Sequence, residues 1–126
     1  MATANILNLI MLFPEGNVRV WLCTSPTDMR KSYNGLSALV KHHLQDDPLN
    51  GHCYVFVNRK RTQLKILFFD RSGFVIWGKR LEQGQFVYHS RGERKQALSF
   101  TQLQCLLEGI ELKHARRYKR FSRVAA

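Results

Sequence analysis

Two apolar runs joined by a short polar turn constrain the fold of this chain more than any other stretch. They occupy residues 63–82, and the turn between them is Asp-Arg-Ser-Gly at 70–73. Asp70 can close such a turn with its side chain, and Gly73 can adopt the positive φ that hairpin turns often require. The flanking runs are rich in Ile, Val, Phe and Trp, which favour strands. The stretch therefore predicts a β-hairpin.

Both faces of this predicted hairpin are apolar close to the turn. Alternate residues of a strand point to opposite faces, so a sheet that is covered on one side alternates apolar and polar residues. This stretch does not alternate, and it therefore needs a cover on both faces or presents one apolar face to a partner. Its cations Lys65, Lys79 and Arg80 gather at the open end. We expect the hairpin to form the centre of the sheet.

The first predicted helix spans about residues 28–45, where apolar residues recur at the spacing of one buried stripe. Ser25 can serve as its N-cap, with Pro26 at the first helical position. A later start near Tyr33, after a turn, is an open alternative. With the hairpin, these elements predict an α+β fold: a mainly antiparallel sheet of about four to five strands and two principal helices.

The second predicted helix spans about residues 101–109. Thr101 and Gln104 have the spacing of a capping box, and Gly109 stands where a left-handed residue would end the helix.

Further strands are predicted on either side of these elements. Strands are expected at 18–23 and 53–57, with a short edge strand at 84–88. Residues 90–96 are polar and are expected to be mobile. Residues 1–16 fit a helix or a strand and are expected to cover the second face of the sheet.

The charge balance restricts the partners of this chain. Its 126 residues suit one domain, and 20 Lys and Arg against 9 Asp and Glu give a formal charge of +11. Such a basic domain commonly binds polyanions, nucleic acid first among them; the alternative is a basic protein without such a partner. We expect a globular domain at 1–112 and a basic, flexible tail at 113–126.

Two groups of cations dominate the predicted DNA-binding surface. One lies on the tight connection at 59–61, and the other is the tail, where aromatic residues interleave with the cations. Contacts to phosphate release counterions and give affinity without sequence preference, whereas a solvated face is the alternative for each cluster. The predicted residues are Arg30, Lys31, Arg59, Lys60, Arg61, Lys65, Lys79 and Arg80, with Arg116, Arg117, Lys119 and Arg120 as a clamp.

The sequence contains no pattern that predicts catalysis. Asp28, Asp70, Glu82 and Glu93 are candidate metal ligands by residue type alone, and their spacing fits no metal motif. The serines lack a G-x-S-x-G elbow, and no Gly-rich phosphate loop is present. We therefore predict no catalytic residue, no metal and no cofactor.

The cysteines and the longest apolar run indicate the compartment. Cys23, Cys53 and Cys105 are far apart, which argues against a disulfide framework or a zinc ribbon and favours reduced thiols in the cytoplasm. The run at 6–13 is too short to span a bilayer and lacks the features of a signal peptide.

Protein interaction is the third class of function that the residues allow. Trp21, Trp77 and Tyr88 are the aromatic residues that would mark a partner site if they were exposed, and core packing is the alternative for each.

An ordered series of blocks covers residues 17–112. Its members include Thr27-Asp28-Met29-Arg30-Lys31, Asn34-Gly35-Leu36, Gly51-His52-Cys53-Tyr54-Val55-Phe56, Lys65-Ile66-Leu67-Phe68-Phe69-Asp70, Lys79-Arg80-Leu81-Glu82-Gln83-Gly84-Gln85-Phe86 and Leu106-Leu107-Glu108-Gly109-Ile110. The series resembles the small second-frame accessory proteins, called TnpB, of insertion-sequence-66-type bacterial transposons. Ser32 departs from it, since the family pattern tends to have Gly there.

This resemblance implies a role in transposition beside a separate, larger transposase, and it supplies no catalytic residues to carry over. We expect a non-enzymatic accessory protein in the bacterial cytoplasm, at the nucleoid if it binds DNA. Its expected partners are DNA, the transposase of the same element and a second copy of the chain. The alternative is a protein-interaction module that binds the transposase or self-associates without contacting DNA.

Overall fold

The computed structural model describes residues 17–109. The expectations for 1–16 and for the tail at 113–126, with Arg116, Arg117, Lys119 and Arg120, lie outside the described residues.

Within residues 17–109, five strands form one sheet in the order β4-β3-β2-β1-β5. Neighbouring strands are antiparallel except for β1 and β2, which are parallel. Among the described residues two helices pack on this sheet, so the predicted α+β fold with a mainly antiparallel sheet is confirmed. The strands are β1 (Val20–Cys23), β2 (Cys53–Val57), β3 (Gln63–Phe69), β4 (Phe74–Arg80) and β5 (Lys95–Leu98); the helices are α1 (Tyr33–Ala38) and α2 (Phe100–Leu107).

The predicted hairpin is present as β3 and β4, which pair from Phe69 and Phe74 beside the turn to Gln63 and Arg80 at the open end. The backbone amide of Asp70 donates to the carbonyl of Gly73 at 3.0 Å, and the Asp70 carboxylate accepts from the amide of Gly73 at 3.3 Å. The positive φ was expected at Gly73, but Arg71 adopts it, with a φ of 86°. The Asp70 side chain holds the turn closed around that residue.

The sequence led us to expect the hairpin at the centre of the sheet. Instead, β4 and β3 are the last two strands at one side of it. β2 is the middle strand, and every one of its residues is buried. The physical reason is that β1 pairs in parallel with the free side of β2 and β5 then pairs with β1, which leaves β4 at an edge.

Both faces of the sheet are covered, as the apolar faces of the hairpin predicted. On one face Leu64, Ile66 and Phe68 of β3 pack with α2 and with buried Phe86. On the other face Leu67 packs with residues of α1 and of the segment that follows it. Two cores therefore fix the hairpin from opposite sides.

The first helix starts at Tyr33, which was the later of the two predicted starts. It continues as a π-helical segment, Leu39–His43. The predicted cap at Ser25 and Pro26 is wrong because this part of the chain is bonded to the sheet. The amide of Thr27 donates to the carbonyl of Val57 at 2.9 Å, which holds this segment against the end of β2 ahead of the helix.

The edge strand expected at 84–88 is wrong, and a strand begins instead at Lys95, inside the region 90–96 that was expected to be mobile. Phe86 and Tyr88 are buried through their side chains, while their segment pairs with no strand in the described structure. β5 at Lys95–Leu98 pairs with β1, whose outer edge would otherwise leave its backbone groups unpaired.

The capping box of α2 lies two residues earlier than predicted. Ser99 has an extended backbone and its side chain accepts from the amide of Gln102, whose own side chain accepts from the Ser99 amide. Thr101 and Gln104 are already inside the helix and cannot form the box. Gly109 has a φ of 74°, as predicted for the residue that ends the helix.

Within residues 17–109, no helix is long and apolar enough to cross a membrane.

Candidate nucleic-acid interface

An open groove of about 1120 Å³ lies at the open end of the hairpin. Three segments that are far apart in sequence line it: 26–30, 58–65 with the exception of Arg61, and 78–80. They meet here because β2 leads through a tight connection into β3, β4 returns beside it, and the segment before α1 is bonded to the end of β2. The predicted residues that line this basic groove are Arg30, Arg59, Lys60, Lys65, Lys79 and Arg80.

The connection between β2 and β3 presents Arg59 and Lys60 at the rim of the groove. The Asn58 side-chain oxygen accepts from the amides of Thr62 at 2.8 Å and Gln63 at 3.0 Å, which closes the turn below them. Both cations are exposed. Within residues 17–109, neither side chain has a hydrogen bond or an ion pair, so both are available to an anion.

Arg30 forms a short ion pair with Asp28 in the groove. Its Nη2 lies 2.6 Å from Asp28 Oδ2, and its Nε donates to both carboxylate oxygens. These hydrogen bonds lower the pKa of Asp28 to about 2, so the carboxylate stays charged at any pH at which the protein would work. The Arg30 side chain is 92% exposed. Asp28 therefore places a negative charge within a basic groove.

Arg80 lies at the end of β4, where its Nη2 is 3.2 Å from Glu82 Oε1. Both side chains are largely exposed, and such surface pairs contribute little to stability because water and salt screen them. The guanidinium can exchange this partner for another anion at small cost.

Two lysines of the groove use their ammonium groups to hold the fold together. Lys65 Nζ donates to the carbonyls of Met29 at 2.8 Å and Lys31 at 2.9 Å, which ties the segment before α1 to β3. Lys79 Nζ donates to the carbonyl of Leu107 at 2.7 Å, where it meets the negative end of α2. Each lysine adds a positive charge to the groove, although part of its ammonium group is already hydrogen-bonded to carbonyl oxygens.

Two further predicted residues do not line the groove. Arg61 donates to the carbonyl of Tyr88 at 2.9 Å and stacks over the Tyr88 ring at 4.0 Å. Burial raises the pKa of Tyr88. Lys31 is exposed beside the groove, and its aliphatic carbons lie over Gly35.

Sequence reasoning missed Gly78, which lies on the groove surface inside β4 and is exposed. A glycine inside a predicted strand was the available signal, since it weakens a strand and often marks a close approach of another backbone.

The structure assembles no metal centre from the acidic candidates. Among residues 17–109, no group of three His, Cys, Asp or Glu side chains could hold a metal ion. Asp70 closes the hairpin turn, while Asp28 and Glu82 pair with arginines.

One Ser–His contact was not expected from sequence. His43 Nε2 lies 3.3 Å from Ser25 Oγ. In the described part of the chain the His43 ring makes no other hydrogen bond, so the pair lacks the carboxylate that orients the histidine of a catalytic triad.

The thiols are free, as the spacing of the cysteines predicted. Cys23 and Cys53 are buried and Cys105 is half-buried. Burial raises the pKa of the Cys53 thiol to about 12, which leaves it unreactive at neutral pH.

The aromatic residues that would mark a protein partner if exposed belong largely to the cores. Tyr88 is buried, and the half-buried Trp77 packs against the same core. Trp21 is half-buried beneath Lys95, whose Nζ lies 4.3 Å from the ring centroid and 2.9 Å from Asp46. These positions favour the core interpretation for each residue.

Comparison with known proteins shows which family this chain resembles. The model of a family described as IS66 Orf2 like protein matches residues 18–117. The uncharacterized protein y4hO of Sinorhizobium fredii is 39% identical over 104 residues, which cover 82% of this chain and 90% of the relative. The uncharacterized protein y4jC of the same organism is 31% identical over 117 residues, covering 91% of this chain and 100% of the relative. No solved structure matches.

Proposed function

Because the chain belongs to the IS66 Orf2-like family, we propose that it is an accessory protein of DNA transposition that binds DNA through the basic groove and catalyses no reaction itself. The family supports the transposition role. The observation that carries the DNA-binding part is the convergence of cations from three separate segments on one open surface.

The chemistry of the groove suits phosphate. Arg59 and Lys60 are exposed and unpaired within the described residues, and guanidinium groups form bidentate hydrogen bonds with phosphate oxygens. In the described part of the chain, exposed carboxylates hold Arg30 and Arg80, and a phosphate can replace them at small cost. Contacts of this kind position a duplex but do not distinguish one base sequence from another.

The test is a titration of the full chain against a fluorescein-labelled duplex, followed by anisotropy at several salt concentrations. We expect affinity to fall with a logarithmic slope of about −3 or steeper, since each phosphate contact adds about −0.9. The duplex should remain intact after incubation with Mg²⁺. No binding at about 50 mM salt would reject the DNA-binding part, and metal-dependent cleavage would reject the non-enzymatic part.

A second candidate function is association with the transposase or with a second copy of the chain. It is favoured by the outer edge of β4, which pairs with no strand in the described structure. Exposed edge strands offer unpaired backbone groups to a strand of a partner. Sedimentation should then show a complex that persists at high salt, whereas a monomer that ignores the transposase would count against this candidate.

A further inference from the structure

Gly78 lies between the cations of the basic groove. It pairs with Lys65 across the hairpin, and Lys79 and Arg80 follow it in β4. Its position inside a strand is unfavourable, because glycine loses more backbone freedom on folding than other residues and has no side chain to pack. A glycine at such a position needs a physical reason.

The described fold does not supply that reason. A Cβ atom at position 78 would meet the carbonyl oxygen of Leu64 at 3.8 Å and Cγ of Lys65 at 4.0 Å, which are ordinary van der Waals distances. The φ of Gly78 is outside the left-handed region that favours glycine. Within residues 17–109, a Cβ atom at position 78 would therefore clash with neither the backbone nor the neighbouring side chains.

The space above Gly78 opens into the groove, so the missing side chain keeps the groove surface low between its cations. A strand glycine of this kind allows another backbone to approach closely. Because the residues around Gly78 are cations, a backbone that carries negative charge fits this position.

The lining also discriminates between forms of nucleic acid. Proteins that hold single strands stack bases on aromatic side chains along a basic channel. Among the described residues that line the groove none is aromatic, while cations and polar amide or hydroxyl groups are numerous. Such a surface suits a duplex, whose bases are stacked inside and whose phosphates face outward.

We infer that Gly78 is the floor of the groove and that the sugar–phosphate backbone of duplex DNA lies directly over it. This inference rests on the proposed function and adds to it the form of the nucleic acid and the point of closest approach.

The experiment compares Gly78→Val with the wild-type chain. Valine favours a strand, so the variant should melt at the same or a higher temperature. Its side chain occupies the space above the floor, and we expect the affinity for a labelled duplex to fall by about tenfold, a loss on the scale of one or two phosphate contacts. Ala97→Val is the matched control, because Ala97 is exposed in β5 and lies outside the groove lining. A single strand of equal length should compete less well than the duplex.

The outcomes separate this inference from the proposed function. No duplex binding by the wild-type chain would overturn both. Duplex binding that Gly78→Val and Ala97→Val leave equally unchanged would overturn the inference alone, as would a single strand that competes better than the duplex. Gly78→Ala adds a single methyl group, and its affinity for the duplex should lie between those of the wild-type chain and the valine variant. If the alanine variant bound the duplex more weakly than the valine variant, the size of the side chain at position 78 would not be the cause of the loss, and the inference would be contradicted.

Discussion

At the scale of single residues, the negative charge of Asp28 reduces the positive charge of the groove that it lines. Its carboxylate holds the Arg30 guanidinium through three hydrogen bonds to Nε and Nη2, and its side-chain oxygen also accepts from the Arg30 amide at 2.9 Å. A phosphate that binds Arg30 must compete with this carboxylate. Asp28 thus weakens the attraction of the groove for an anion while it shapes the local backbone.

Replacing Asp28 by Asn should therefore strengthen DNA binding. Asparagine keeps an oxygen for the Arg30 amide but removes the negative charge, and a gain of about threefold follows from the energy of an exposed ion pair. Anisotropy with the labelled duplex measures the change. A catalytic role of this carboxylate requires the opposite result, a loss of function, and weaker binding by Asp28→Asn would contradict our account.

The same pair has a defined pH dependence. The pKa of Asp28 is lowered to about 2, so any stabilisation from the pair is present at higher pH and is lost as pH falls through about 2. The affinity for DNA should consequently show no step from this group between about pH 5 and 8, the range in which histidine titrates.

Residue types and their order predicted which cations are near one another but not what each one contacts. The open end of the hairpin placed Lys65, Lys79 and Arg80 together in sequence analysis, and the structure confirms that proximity. The two lysines donate to carbonyls of distant segments, such as Leu107 for Lys79, whereas Arg80 pairs with the neighbouring Glu82. Such contacts depend on how helices dock on the sheet, which no local pattern contains.

At the scale of elements, Lys65 joins the segment before α1 to the sheet. That segment carries Arg30 and Asp28 into the groove, and its carbonyls at Met29 and Lys31 accept from the half-buried ammonium. The lysine therefore positions one wall of the groove.

Lys65→Met should lower the free energy of unfolding by about 1–3 kcal/mol, since hydrogen bonds from a charged donor are lost and the carbonyls lose a partner. Denaturant unfolding measures the effect. Lys60→Met is the matched control, because Lys60 is exposed and its side chain makes no hydrogen bond within the described residues; it should change stability by less than about 0.5 kcal/mol. Equal effects of the two substitutions would contradict the positioning role of Lys65.

The elements that sequence predicted well are those with strong local signals. The hairpin has apolar runs and an Asp-initiated turn, and α2 has its buried stripe and terminal glycine. β5 was missed because Lys95 and Gln96 are polar and the strand exists through its pairing with β1. Phe86 and Tyr88 misled the strand prediction because they are buried as isolated side chains. Pairing and burial of these kinds are tertiary effects that override local propensity.

At the scale of the whole molecule, the two cores leave one end of the hairpin uncovered. α1 and α2 pack on opposite faces of the sheet near its apolar parts, and the cations at the open end of the hairpin remain around the groove. A formal charge of +11 would by itself attract polyanions to any part of the surface. We propose more narrowly that DNA binds in this groove.

Two double charge reversals test that claim most directly. Arg59→Glu with Lys60→Glu changes the groove, and Lys41→Glu with Arg91→Glu makes the same change in net charge at exposed residues outside its lining. Salt titrations of duplex binding should lose about two units of slope in the groove variant, about one for each phosphate contact removed, and little in the control. Equal losses of affinity and slope in the two variants would show that overall charge alone attracts DNA and would contradict the account.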